Sequence, residues 1–328
     1  MPESANIQGP IHVDTYLTGW SVRFVQDSTQ FVAQQATSVI PVNFQSNSYA
    51  IFDRGYFLRD EAKPRPLGGR PEQIGYKVTP GTYSAVEYAL EHVVDDRQRA
   101  NVDDPISLEE NATALLTGKM MIKQDRFFAQ NFFTTGKWTT EVVGVVSSPA
   151  ALQVVNFTDA NSDPIGVIDF YADMIGQSTG MRPNTLVLGA NVRRALRVHP
   201  DISDRIKYTQ IGIADDAMLA SLFQLDTVVT ARSIYNAAAE GLTDSFQYIA
   251  DGDSMLLMYI DKTPGLDSPT AIATFAWTGL LPGVTNALGG VIERGRDERA
   301  HSDWFQDRMA WDMKIVSQDL GIFFNNIV

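Results

Sequence analysis

The 328-residue sequence predicts an α+β fold. Three observations support this class. Residues 49–90 contain two strand-like runs around a turn-rich centre, residues 105–135 contain the longest helical pattern, and residues 182–295 alternate short strands with short helices. We therefore expect a mixed domain, an α/β-like domain, and extended segments that need another surface to lie on.

Composition excludes several classes of protein. Hydrophobic residues make up 44% of the chain and charged residues 20%, which is typical of globular proteins. The formal net charge of −13 argues against a protein that coats DNA, because neutralising phosphates requires an excess of Lys and Arg. The chain has no Cys, which excludes disulfides, thiolate metal sites and cysteine nucleophiles. We expect neither a signal peptide nor a membrane span, since no apolar run approaches about 18 residues.

Residues 1–48 are polar, with scattered aromatic side chains and no sustained period. Such a segment has too few apolar residues for a core of its own, yet its aromatic side chains are costly to leave in water. We interpret it as an extended arm. Its composition is equally compatible with packing on its own chain and with packing on another molecule.

Residues 49–90 predict a long two-stranded hairpin. The first strand is expected from Tyr49 to Leu58, and the second has its apolar side chains on even positions from Tyr76 to Leu90. Between them, residues 63–71 contain three Pro and two Gly, which is turn composition. Because an isolated hairpin is marginally stable in water, we expect this one to need a second surface.

The charge of the hairpin differs from that of the segment that follows it. Residues 53–77 carry six basic and four acidic side chains, whereas residues 87–110 carry two basic and eight acidic ones. We predict that these regions pair between two copies of the chain; the alternative is that both are solvated and never meet. The candidate inter-subunit contacts are the basic patch (Arg54, Arg59, Lys63, Arg65, Arg70 and Lys77) and the acidic stretch (Asp95, Asp96, Asp103, Asp104, Glu109 and Glu110).

Residues 105–135 predict the longest helix. Asp104 is a candidate N-cap with Pro105 in the first turn, and Ser107 with Glu110 offers an alternative capping box. Apolar residues then recur at steps of three and four up to Phe132. A helix of this length is a rod of about 45 Å, which suits a thin, plate-like body. We assign its Met and Phe side chains to core packing rather than to a ligand site.

The rest of the chain is predicted as short alternating elements, and the tail from residue 304 as a strand that returns to a sheet. Strands are expected at 140–146, 185–188, 227–230, 254–260 and 271–277, and helices at 165–175, 190–198 and 215–223.

The sequence contains one short match to a catalytic motif, at residues 176–180. Residues 176–180 match the G-x-S-x-G nucleophile elbow with Ser178 at its centre, and His199 and His301 follow downstream. The elbow requires a strand before the serine and a helix after it, whereas here a helix precedes and a strand follows. We therefore predict a helix C-terminus and no enzyme activity. The four His are widely separated, and no phosphate-binding, dinucleotide or calcium motif is present, so we predict no cofactor or metal.

The order of these parts, together with several local motifs, resembles the major capsid proteins of tailed double-stranded DNA phages. Their fold, named after the Hong Kong phage, is shared with encapsulin shells. The segments that carry the resemblance are residues 83–101, 186–196, 199–209, 277–279 and 293–299.

The resemblance implies a structural subunit that forms hexamers and pentamers of an icosahedral head. It implies packaged double-stranded DNA bound without sequence specificity, possible scaffolding, portal and cement partners, no membrane, and a place in the virion after assembly in the host bacterial cytoplasm. The alternatives are an encapsulin-like compartment and a serine hydrolase that uses Ser178. The implied parts are an N-terminal arm (1–48), an E-loop hairpin (49–90), a peripheral domain (91–181, with a spine helix at about 105–135), an axial domain (182–295) and a return to the peripheral domain (296–328).

Overall fold

The computed structural model describes residues 26–52, 54–65, 67–101, 108–206, 215–263, 268–280 and 291–328. The strands are β1 (Ser38–Val42), β2 (Ser46–Phe52), β3 (Val78–Ser84), β4 (Val86–Asp95), β5 (Thr140–Val145), β6 (Gln153–Val155), β7 (Thr185–Gly189), β8 (Thr227–Ala231), β9 (Ile234–Asn236), β10 (Phe246–Tyr248), β11 (Met255–Met258), β12 (Ile272–Trp277), β13 (Val291–Asp297), β14 (Ser302–Ile315) and β15 (Gly321–Asn325). The helices are α1 (Arg54–Phe57), α2 (Asp96–Ala100), α3 (Leu108–Asn131), α4 (Pro164–Thr179), α5 (Ala190–Val198), α6 (Pro200–Ile206) and α7 (Asp216–Leu222).

A six-stranded sheet forms one half of the molecule, in the order β6-β5-β15-β11-β7-β8. Helices α4 to α7 cover one of its faces, and the C-terminal half of α3 covers the other. Two neighbouring residues of β15 show this arrangement. The ring centre of Phe323 lies 5.4 Å from that of Phe133, which follows α3, and the ring centre of Phe324 lies 5.1 Å from that of Tyr171 in α4. Strands covered on both faces have continuous apolar sequences. The predicted strands at 185–188 and 227–230 have such sequences, and the structure confirms both.

A five-stranded sheet forms the other half, in the order β1-β12-β14-β13, with β4 also paired to β14. The 14-residue strand β14 is the predicted returning strand. Its residues Phe305, Met309 and Trp311 are buried on one face, where α3 packs. The tail then continues into β15, in the other sheet, so one predicted strand is in fact two strands that connect the two halves.

The described part of helix α3 has 24 residues and is about 36 Å long. The proposed caps Asp104, Pro105 and Ser107 lie outside the described residues. The helix ends at Asn131 instead of continuing to 135, because a turn follows in which Gly136 has a φ of 80°. The carboxylate of Glu141 stabilises this turn by accepting the backbone N–H of Gly136 at 2.6 Å.

The predicted hairpin is divided differently in the structure. β2 and β3 pair antiparallel, but residues 54–57 form the short helix α1 where a strand was expected. The even-numbered pattern of the second strand continues across Ala85, where the chain leaves β2 and joins β14. This switch occurs because Ser84 donates its backbone N–H to the Asp312 carboxylate at 2.9 Å and Tyr88 stacks on Trp311. The prediction of a single strand up to Leu90 was therefore wrong.

The two sheets do not follow the predicted boundary between residues 181 and 182. Strands β5 and β6 and helix α4 precede it and belong to the six-stranded sheet and its helical layer, while β12 follows it and belongs to the five-stranded sheet. The division into peripheral and axial domains stays a prediction. Among the described helices, none is long and apolar enough to cross a bilayer.

Candidate functional site

The tip of the β2–β3 hairpin brings four members of the basic patch together. Arg59, Lys63, Arg65 and Arg70 line one cleft of about 840 Å³. Lys63 donates to Glu72 at 2.7 Å, and the Arg65 Nε donates to the backbone carbonyl of Gly69 at 2.6 Å. These contacts are local, so they order the tip without connecting it to the rest of the chain.

The same tip exposes apolar side chains. The rings of Phe57 and Tyr76 lie 5.6 Å apart, and both are more than half exposed, as are Leu58, Leu67 and Ile74. A cluster of this kind beside cationic side chains is typical of a protein contact surface. Of the other members of the basic patch, Lys77 is exposed just before β3, and the side chain of Arg54 is not among those that the structure describes.

The acidic stretch, in contrast, makes several contacts within its own chain. Asp95 caps α2 by accepting the N–H of Arg97 at 2.7 Å. Asp96 accepts two hydrogen bonds from Arg296, at 2.6 and 2.9 Å. Glu109 accepts two from Arg294, both at 3.0 Å.

Two members, Asp103 and Asp104, lie outside the described residues, and Glu110 is exposed. The inter-subunit role of both charged sets stays a prediction.

Asp303, which was not predicted from the sequence, is the centre of this ionic network. Its carboxylate accepts hydrogen bonds from Arg99 at 2.7 Å and from Arg294 and Arg296 at 3.1 Å. These three guanidinium groups, Arg99 first, lower the pKa of Asp303 to about 2. The available signal was the alternation of Arg294 and Arg296, which places both on one face of a strand. Their partner became visible only with the register of β13 against β14.

A second missed residue, Asp125, attaches the arm to the long helix. Its side chain is 3% exposed. Oδ1 accepts the backbone N–H groups of Val32 and Ala33 at 2.9 and 2.7 Å, and Oδ2 accepts the Ser233 hydroxyl at 2.6 Å. Burial raises the pKa of Asp125, while the hydrogen bonds oppose that rise. Residues 26–36 of the arm therefore pack on their own chain; residues 1–25 lie outside the described part.

The serine motif is the end of a helix, as predicted. The Ser178 hydroxyl donates to the backbone carbonyl of Ile175 at 3.1 Å, and Gly180 terminates α4 with a φ of 76°. His199 is buried elsewhere: its Nδ1 accepts the N–H of Asp201 at 3.3 Å and its Nε2 lies 3.0 Å from the Ser162 hydroxyl. His301 lies in the turn between β13 and β14. The motif thus has the helix geometry that its sequence order indicated.

A metal centre finds no support in the part of the chain that the structure describes, since no three His, Asp or Glu side chains there cluster in a way that could hold an ion.

Comparison with known proteins gives two curated relatives. The chain is 25% identical over 259 residues to the major capsid protein of Burkholderia phage BcepMu, covering 77% of this chain and 78% of that protein. It is 23% identical over 334 residues to the major capsid protein of Pseudomonas phage JBD67, covering 97% and 98%. No protein-family model matches the chain.

Solved structures share the architecture over nearly the whole chain. A phage-related protein from Bordetella bronchiseptica has a TM-score of 0.68 at 21% identity and covers 92% of this chain and 94% of its own. The capsid of Cyanophage P-SCSP1u has a TM-score of 0.55 at 9% identity, with 93% and 90% covered. An encapsulin complex of Synechococcus elongatus has a TM-score of 0.54 at 11% identity, with 94% and 93% covered.

The chain has the Hong Kong phage capsid fold. The fold class and the resemblance predicted from the sequence are thereby confirmed. Within this capsid fold, the basic hairpin tip and the network around Asp303 are surface features of a protein whose sequence relatives are major capsid proteins.

Proposed function

We propose that the chain is the major capsid subunit of a tailed phage, and that its copies form hexamers and pentamers of an icosahedral head around double-stranded DNA. The observation that carries this proposal is the match over nearly the full length to a curated major capsid protein, on a capsid fold. The exposed apolar and cationic hairpin tip supports it, because such a surface is unfavourable on an isolated subunit.

The role that we propose is structural and not enzymatic. Ser178 uses its hydroxyl inside its own helix, and His199 uses both ring nitrogens in buried hydrogen bonds, so neither is arranged for nucleophilic attack. The location that follows is the virion, after assembly in the host bacterial cytoplasm. Scaffolding, portal and cement proteins are candidate partners of such a head.

An encapsulin-like compartment is the second candidate, because an encapsulin structure shares the fold. The two curated sequence relatives favour the phage reading. The decisive experiment is negative-stain microscopy of the purified chain, alone and with its scaffolding protein, together with a nuclease-protection assay on particles from infected cells. Closed particles with protected DNA support a phage head. Closed particles that hold an enzyme and no DNA support the compartment, and a uniform small monomer in every condition contradicts both.

The inter-subunit contact that we propose is made by the basic patch. Arg65 and Arg70 line the exposed cleft, so reversing both charges in R65E/R70E should impair assembly and leave the subunit folded. The matched control is R65K/R70K, which keeps both charges. Normal particle yield from the reversed variant would refute a role for this patch, whereas loss in both variants would assign the effect to guanidinium geometry rather than to charge.

A further inference from the structure

Helix α3 carries a line of cations on a side that is not buried. Lys119, Lys123 and Arg126 are exposed and follow one another at steps of four and three residues. At 1.5 Å per residue, they lie about 6 and 4.5 Å apart along the axis, within roughly 60° around it. We call these three residues the basic stripe.

The stripe differs from the cations beside β13 and β14, which are already neutralised by carboxylates. Arg99, Arg294, Arg296 and Arg308 all pair with carboxylates. Within the described ranges, two members of the stripe contact aromatic rings instead. The Lys123 ammonium lies 5.2 Å from the centre of the Tyr88 ring, and the Arg126 guanidinium lies 4.5 Å from that of Tyr235.

These aromatic contacts hold two charges in position without neutralising them, because a tyrosine ring carries no formal charge. Tyr88 is on β4 and Tyr235 is on β9, so the stripe is flanked from two sides. The result is three exposed positive charges along about 10 Å of a helix, two of them held against rings and none in an ion pair with another described residue, on a protein with a net charge of −13. A polyanion is the kind of partner whose charge such a row complements.

We propose that the basic stripe binds phosphates of the packaged double-stranded DNA, and so places this side of α3 toward the genome. This inference rests on the proposed capsid function. Duplex DNA offers a phosphate charge every 1.7 Å of axis, so a row of three cations finds partners in any register and in any sequence. The contact is weak for one subunit and is multiplied by the copies in a shell. A DNA contact of this kind is compatible with an acidic chain, because only the stripe, and not the whole surface, faces the phosphates.

The test is the salt dependence of binding to a short, random-sequence, fluorescently labelled duplex, measured by anisotropy on the full-length unassembled chain. Each phosphate contact contributes about 0.9 to the slope of log affinity against log salt. The variant K119Q/K123Q/R126Q should therefore have a slope shallower by about 2.7, equivalent to an affinity effect of about 40-fold between 50 and 200 mM salt.

Two controls make the result specific. K119R/K123R/R126K keeps the charges and should keep the slope. R194Q/R197Q/R205Q removes the same number of exposed charges from α5 and α6, and should also keep it. Urea unfolding checks that every variant is folded, which we expect because the stripe is exposed.

Several outcomes would overturn the proposal: an unchanged slope in the stripe variant, an equal change in the α5–α6 control, or displacement of the duplex by a poly-glutamate peptide at equal charge, which would indicate an acidic protein partner. Loss of particles with an unchanged DNA slope would make the stripe a subunit contact instead. If the wild-type chain forms no shells but the slopes differ as expected, phosphate binding stands and the capsid function fails.

Discussion

Replacing Asp125 should detach the arm from the long helix. The carboxylate accepts three hydrogen bonds, from Val32 N–H, Ala33 N–H and the Ser233 hydroxyl. All three donors belong to residues that are at most 2% exposed, so water cannot replace the lost acceptor. Each buried donor left without a partner costs about 1–3 kcal/mol, partly offset because the carboxylate no longer has to be desolvated. We expect D125A to lower the free energy of unfolding by about 3–5 kcal/mol.

The isosteric variant separates hydrogen bonding from charge. In D125N the Oδ1 that accepts both backbone N–H groups is retained, and the Ser233 hydroxyl can rotate to accept from the new amide. We expect D125N to cost no more than about 1–2 kcal/mol. The control is D169A, which removes an exposed partner of Arg182 and should cost less than about 1 kcal/mol.

Urea unfolding measures these free energies, and hydrogen exchange at the amides of Val32 and Ala33 measures the local release of the arm. Both amides should exchange faster in D125A. A loss of stability below 0.5 kcal/mol, or unchanged exchange at these two amides, would refute the argument that Asp125 anchors the arm.

The pH dependence of stability independently tests whether burial is the main cause of the raised pKa of Asp125. Burial raises the pKa of Asp125 above its ordinary value of 3.8, so the folded state binds this proton more tightly than the unfolded chain does. Stability is therefore lost as pH rises from 3.8 through the raised value. D125N lacks this titration, so the advantage of the wild type over D125N should shrink with rising pH. An advantage that grows with pH would contradict burial as the dominant cause.

Four further predictions concern single residues. The pKa of Asp303 is lowered to about 2, so its contribution is present above pH 3.8 and lost below it; acid unfolding followed by circular dichroism should therefore be less steep in D303N. S178A should assemble normally and leave ester hydrolysis at the background rate, and any loss of turnover would support the hydrolase alternative. A Cβ on Gly321 would overlap the buried Trp138 ring, so G321A should cost about 1–3 kcal/mol in urea unfolding. A Cβ on Gly176, inside α4, meets nothing within 4 Å, so G176A should be neutral or stabilising by about 0.5–1 kcal/mol.

Local signals predicted α4, α5, α7 and the buried strands, because their causes are local, whereas α1, α2 and α6 were not predicted as helices. The start of α4 follows from Asp163, whose side chain accepts the N–H of Gly166, and from Pro164 in the first turn. Its end follows from Gly180, which adopts the left-handed conformation. The apolar runs of β7 and β11 indicated strands covered on both faces.

The division of the hairpin could not be predicted in the same way. The even-numbered pattern is continuous through Ala85, and the signal that separates β3 from β4 is the Asp312 carboxylate, 228 residues away from Ser84. Likewise, the aromatic residues of α1 satisfy a strand pattern as well as they satisfy a helical turn. For β3 and β4, a long-range contact decides between two local interpretations of equal quality.

The acidic stretch shows why a count of charges is a weak guide to a contact surface. Asp96 and Glu109 are neutralised by Arg296 and Arg294, which lie 200 and 185 residues away along the chain. If the basic patch of a neighbour were to bind these two carboxylates, it would have to displace bidentate arginine pairs already in place. In the proposed contact, ionic attraction between copies would therefore have to come from other acidic groups. The exposed apolar side chains of the hairpin tip would then supply the larger share of the energy of that proposed contact, since burying apolar area needs no partner of opposite charge and is not weakened by salt.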